Sequence, residues 1–92
     1  MSGRLESWLE AKVVREAQKL GWWQVKLMQC SKRGVPDRVF IRGGRVVWIE
    51  FKRPGGDGEP GKQQKIRHYE MRAAGAEVFV INSLEAALAV LR

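Results

Sequence analysis

The dipeptide Gly43-Gly44 constrains this chain more than any other feature. Before it runs DRVFIR, residues 37–42, and after it RVVWIEFK, residues 45–52. Both runs are rich in branched and aromatic residues, and a two-residue glycine link accepts the positive φ angles of a tight turn. The two runs are therefore predicted to pair as an antiparallel hairpin. A turn of this length also fixes the register. Arg42 faces Arg45, and further down the ladder Asp37 faces Glu50. Directly opposed side chains share a face of the sheet, with Cβ atoms roughly 4.5–5.5 Å apart. Lys52, two residues past Glu50, projects from that same face, while Phe51 points the other way. Val46 and Trp48 also fall on the Asp37 face, which is apolar beyond its acidic end.

The rest of the chain supplies layers around the hairpin. Leu5, Trp8, Leu9, Val13, Ala17 and Leu20 recur at helical spacing, predicting a first helix over residues 5–20 with Ser2 or Gly3 near its start and Gly21 as its stop. Residues 22–28 (WWQVKLM) read as a strand and 29–35 as a loop, with Pro36 favouring an extended approach to the hairpin. Gly, Pro, Asp and Glu dominate from Pro54 to Gly61, marking a mobile loop in which Pro60 suits the opening of a helical turn. A second helix is predicted over 61–74, closed by Gly75. A strand follows over 77–81 (EVFVI), then a final helix over 84–91 capped by Asn82 or Ser83. The order α-β-β-β-α-β-α describes an α/β fold, a small mixed sheet of about four strands flanked by helices. With 92 residues and neither repeat nor linker, residues 1–92 read as one domain, because a second core would be too small to support itself.

Composition narrows the classes of function. Seventeen Lys and Arg against ten Asp and Glu give a net charge of +7, a field that attracts polyanions, of which nucleic acid is the commonest. An apolar fraction of 45% argues against a disordered tail or a disulfide scaffold. The single cysteine, Cys30, permits no internal disulfide, suits a reducing compartment, and is expected to be a half-buried small apolar residue. No stretch approaches the ~20 apolar residues that cross a bilayer, and no apolar leader follows a basic start. A soluble, cytoplasmic protein of viral or bacterial type is expected, with neither membrane partner nor small-molecule cofactor.

Two carboxylates opposed across a hairpin repel unless something compensates them. Lys52 offers partial compensation and a divalent cation offers more, since Mg²⁺ takes one or two carboxylates together with water and phosphate oxygens. Acid, acid and lysine beside such a cation are what phosphodiester hydrolysis requires: the cation neutralises the phosphate and activates water, and the lysine holds or polarises that water. Glu-x-Lys alone is usually a pair of solvated charges; the turn that places Asp37 opposite it strengthens the chemical reading. Charge and periodicity by themselves reach a basic α/β domain with an acidic cluster, which a non-catalytic nucleic-acid-binding module or a small structural protein would also satisfy.

Gly34-Val35-Pro36-Asp37, thirteen residues on to Glu50, and then Glu50-Phe51-Lys52 together resemble the PD-(D/E)xK nuclease signature, and more narrowly its VRR-NUC branch, the virus-type replication and repair nucleases. The resemblance runs from about Glu10 to Ser83-Leu84-Glu85 and implies a restriction-endonuclease-like core. It implies that Asp37 and Glu50 bind metal with the Phe51 carbonyl as a further ligand, and that Lys52 is the catalytic lysine. Glu10 matches the first-helix glutamate, counted by its eleven residues to Gly21. Glu6 is its rival, because both lie near the edge of the apolar face. Gln64 matches the second-helix glutamine, eleven residues before Gly75, with Gln63 as its rival and closer to Ile66 on the wheel. The implied activity is a Mg²⁺- or Mn²⁺-dependent DNA endonuclease in which water attacks in line, leaving a 5′-phosphate and a 3′-hydroxyl. Minimal members resemble enzymes that cut branched DNA, such as four-way junctions, as two-fold dimers, so DNA and a second copy of the chain are the expected partners. Nicked, flap or linear DNA is the alternative substrate. Lys32 and Arg33, beside the Gly-Val-Pro-Asp turn, are candidate phosphate contacts. His68, one helical turn after Gln64, is within reach of the site by its spacing, but a surface or helix-flank position is expected. Trp22, Trp23 and Trp48 are expected in the core or an interface.

Overall fold

The computed structural model describes residues 2–92, with side chains from Leu5 onward; the cap expected of Ser2 or Gly3 lies outside those side chains. The elements are α1 (Ser2–Lys19), β1 (Trp23–Lys26), β2 (Arg38–Arg42), β3 (Arg45–Phe51), α2 (Lys62–Ala73), β4 (Glu77–Ile81) and α3 (Leu84–Leu91). Their order is the expected one, and the differences sit at element ends. Helix α1 starts before residue 5 and stops at Lys19. Strand β1 has four residues, because Trp22 turns inward instead, buries its ring and donates its indole N–H to the Leu91 carbonyl at 2.8 Å. Asp37 and Lys52 stand one residue outside β2 and β3. Helix α2 starts at Lys62 rather than at Gly61 or Pro60. Gly61 is its N-cap, and the Gln64 side chain reaches back to accept the Gly61 N–H at 2.9 Å, the glutamine half of a capping box.

The sheet order is β1-β2-β3-β4, antiparallel between the first three strands and parallel between β3 and β4. Arg42 pairs with Arg45 and Arg38 with Ile49, the predicted register. Gly43 and Gly44 carry φ angles of +56° and +82°, which a side chain at either position would disfavour. The parallel pair needs a crossover, and α2 provides it.

Strand alternation sorts the side chains onto two faces. Phe40, Val47, Ile49 and Phe51 are buried on the side covered by α1 and α3, against Leu9, Val13, Ala17, Ala87 and Leu91. The buried stripe of α1 is thus narrower than predicted. Leu5 and Leu20 are over a third exposed, and Trp8 lies in solvent with the Lys12 ammonium 5.2 Å from its ring centre. Ser83 caps α3 by accepting the Ala86 N–H at 3.1 Å, while Asn82 donates to the Gly56 carbonyl at 2.9 Å. On the opposite side α2 packs against β4 and leaves the β1–β2 half open. Trp23 is 60% exposed there beside exposed Val25, Ile41 and Val46, so Trp23 is not a core residue. Cys30 is exposed as well, because the segment between β1 and β2 runs over the surface. No helix among the described residues is long and apolar enough to cross a membrane.

Candidate active site

The approach to Asp37 is fixed by Gly34. Its φ is +82°, and a Cβ there would meet the Gln63 carbonyl oxygen at 2.5 Å, so only glycine lets this loop lie against the first turn of α2. Buried Pro36 then holds the chain extended into β2. The Asp37 carbonyl accepts the Leu27 N–H, and its carboxylate oxygen Oδ2 accepts the Phe51 N–H, both at 2.9 Å. That second bond clamps Asp37 to β3 where the register puts it opposite Glu50. The Phe51 ring is buried in the core, which anchors the backbone between Glu50 and Lys52.

Glu50 is 4% exposed. Its pKa is raised from the ordinary 4.5 to about 8, first by burial and then by the charge and hydrogen bonding of Asp37; Lys52 opposes the shift and Glu6 adds to it. The Lys52 ammonium donates to Gln64 Oε1 at 2.7 Å, the same oxygen that accepts the Gly61 N–H. Gln64 therefore reaches the lysine, while Gln63 is exposed and its backbone lies against Gly34.

The two first-helix acids separate. Glu10 Oε2 accepts from Arg38 at 2.8 and 2.9 Å and lies 3.6 Å from the Lys26 ammonium. Arg38 pairs with Ile49, so this cluster sits on the face opposite Glu50. Glu6, one turn earlier, is the helix acid whose charge reaches Glu50. Periodicity left the two equivalent.

His68 was expected on a flank in preference to the site, and the structure corrects this. It is 1% exposed rather than on a flank, with Nε2 3.9 Å from Glu50 Oε1. Neither ring nitrogen nor that carboxylate oxygen has a hydrogen-bond partner. Burial pushes the His68 pKa down, helped by the charges of Arg72 and Lys52 and opposed by the charge of Asp37 and by the nearby Gly34 backbone. The available signal was its spacing, since residues four apart on a helix share a face and Gln64 is on the site. Lys32 and Arg33 are exposed in the loop beside the acids. The Arg33 carbonyl accepts from Arg67 at 2.7 Å, and Lys32 and Trp48 help line a groove of about 430 Å³.

Among the described residues no three His, Cys, Asp or Glu side chains gather as a metal cage. The available donors are the paired carboxylates of Asp37 and Glu50. One of them has a buried oxygen without a partner and holds its charge only with difficulty. This donor set fits a hard divalent cation that shares its coordination with phosphate and water.

No protein-family model matches the chain. A phage protein of the Acyrthosiphon pisum secondary endosymbiont phage 1, "Putative nuclease p44", is 34% identical over 79 residues, covering 85% of this chain and 83% of that one. A solved structure described as a VRR_NUC domain superposes with a TM-score of 0.82 at 24% identity, over 92% of this chain and 91% of that one. It shares the three helices, the four-stranded mixed sheet and their order. On the identity to the phage protein and this shared architecture, the chain belongs to the VRR-NUC nuclease family.

Proposed function

We propose that this protein is a DNA endonuclease that uses Mg²⁺ or Mn²⁺ at Asp37 and Glu50. The observation that carries the reading is the pair itself, two carboxylates held face to face by a two-residue turn with Glu50 pushed up to about 8. Such a site charges fully only when a cation joins it. A bound cation would neutralise the scissile phosphate and lower the pKa of the attacking water. Asp37 and Glu50 hold it, the Phe51 carbonyl is a third donor, and Glu6 rather than Glu10 serves as the helix acid, because Glu10 is already engaged by two cationic side chains. The Lys52 ammonium, kept in place by Gln64, supports the charge that develops on the phosphate as the bond to the leaving oxygen breaks. Lys32 and Arg33 hold flanking phosphates, consistent with a net charge of +7.

Branched DNA is the proposed preferred substrate and a homodimer the proposed working form. One site per chain suits two-fold cutting, and the open β1–β2 face around Trp23 offers apolar surface for a second copy. The test is cleavage of linear, nicked, flap and four-way-junction DNA in Mg²⁺ by the wild type and by Lys52→Ala. Cleavage lost at least ~100-fold with binding retained is expected; equal activity in the two proteins would sink the mechanism. Sedimentation of the wild type against Trp23→Ser tests the dimer, which is expected to weaken in the variant.

A further inference from the structure

Three buried polar atoms at one place lack partners: Glu50 Oε1, His68 Nδ1 and His68 Nε2. Buried groups of this kind are almost always hydrogen-bonded, so an unpaired set needs a physical reason. These atoms do not face apolar walls at random. Nε2 and Oε1 lie 3.9 Å apart, just beyond hydrogen-bond length. The other polar neighbours of the site are otherwise engaged. Asp37 accepts from Phe51, and Lys52 donates to Gln64. Neither the solvent nor another described donor reaches Oε1.

We propose that His68 is a positioning residue for Glu50, its Nε2–H being the donor that fixes carboxylate oxygen Oε1 and so leaves the other oxygen for the cation. The inference rests on the functional reading above. It accounts for a histidine that is buried on α2 beside the Glu50 carboxylate. A carboxylate that binds metal is typically oriented by such an outer hydrogen bond, whose loss weakens metal binding ~10–100-fold. His68 would not touch the substrate; it acts through Glu50.

The test compares His68→Leu, which keeps the volume and removes the donor, with His68→Gln, whose amide nitrogen falls close to Nε2. Mn²⁺ binding is measured by calorimetry, with melting curves to show that each variant is folded. Mn²⁺ affinity is expected to fall ~10–100-fold in the leucine variant and to recover within about threefold in the glutamine variant. If the leucine variant does not fold, His68→Asn, whose amide is too short to reach Oε1, takes its place. Wild-type affinity in the donor-less variant would overturn the proposal, and so would an equal loss in both variants, which is what a packing role produces. A wild type that neither binds Mn²⁺ nor cuts DNA would instead overturn the functional reading itself.

Discussion

The two faces of one four-stranded sheet obey different rules. Under α1 and α3 the side chains are apolar and fully buried, with Phe40, Val47 and Ile49 at 0% exposure. On the other face Asp37, Glu50 and Lys52 gather at the strand ends, Glu50 and His68 of α2 hold three buried polar atoms without partners, and an apolar stretch around Trp23 lies uncovered. The first face supplies stability. The second spends some of it, since each buried unpaired polar group costs about 1–3 kcal/mol. Substitutions on one face should therefore trade against those on the other, stability falling in one case and activity in the other.

The largest effect is expected on the first face. Phe40→Ala removes a fully buried ring from the middle of the core and should cost about 3–5 kcal/mol. For a chain of this size that lowers Tm by more than ~12 °C. The DNA-cleavage rate per folded molecule, measured well below the new Tm, should stay near wild type. A variant that melts normally but cuts poorly would break the division between the faces.

On the second face Glu50→Gln should do the reverse. Because the folded pKa of Glu50 lies near 8 against 4.5 unfolded, the native state keeps a proton that the unfolded chain has released. Stability in metal-free buffer accordingly falls as pH rises through that window and levels off above it. His68, pushed below its ordinary 6.5, works in the opposite sense, but only below that value. Between about pH 6.5 and 8 the Glu50 contribution dominates, at up to about 1.4 kcal/mol per pH unit. Glu50→Gln should flatten this slope and raise Tm at pH 8, while cleavage is lost. Mn²⁺ should restore wild-type stability at pH 8 by taking the place of the proton. An unchanged slope in the variant would show that Glu50 is not the titrating group.

How much of this was legible in the sequence follows the same division. The turn at Gly43-Gly44 is local, so the register and the Asp37–Glu50 pairing could be read directly from it. The core stripe of α1 came out too wide, because periodicity gives a helix its apolar side without saying how much of that side a neighbour covers. Trp23 was ambiguous for a related reason: alternation places it on a face, but only the path of α2 toward β4 decides that its half stays open. His68 was misjudged because its spacing from Gln64 gives only the helix face, whereas its burial depends on how the crossover helix docks on the parallel pair, a long-range outcome. Gln64 could be separated from Gln63 only once the helix start was known, since its side chain both caps the helix and holds Lys52.

The smallest effects should come from the two helix acids, and they discriminate most finely between the faces. Glu6 and Glu10 are one turn apart, yet Glu10 serves the α1 side through Arg38 and Lys26, whereas the charge of Glu6 is felt by Glu50. Glu10→Gln keeps an acceptor for the mostly buried Arg38 guanidinium but loses the charge assistance, and should cost about 1 kcal/mol of stability with cleavage nearly unchanged. Glu6→Gln should leave Tm unchanged or slightly higher, because a like charge near Glu50 disappears, while cleavage falls ~10-fold through weaker metal binding. Paired melting and cleavage measurements on the two variants decide the matter. Loss of cleavage at constant Tm in Glu10→Gln would return the metal role to Glu10, and α1 would then have to turn about its axis, exposing the Leu9-Val13-Ala17 stripe, to deliver it. The burial of those three side chains, each at 1% exposure or less, is the physical reason to expect the other result.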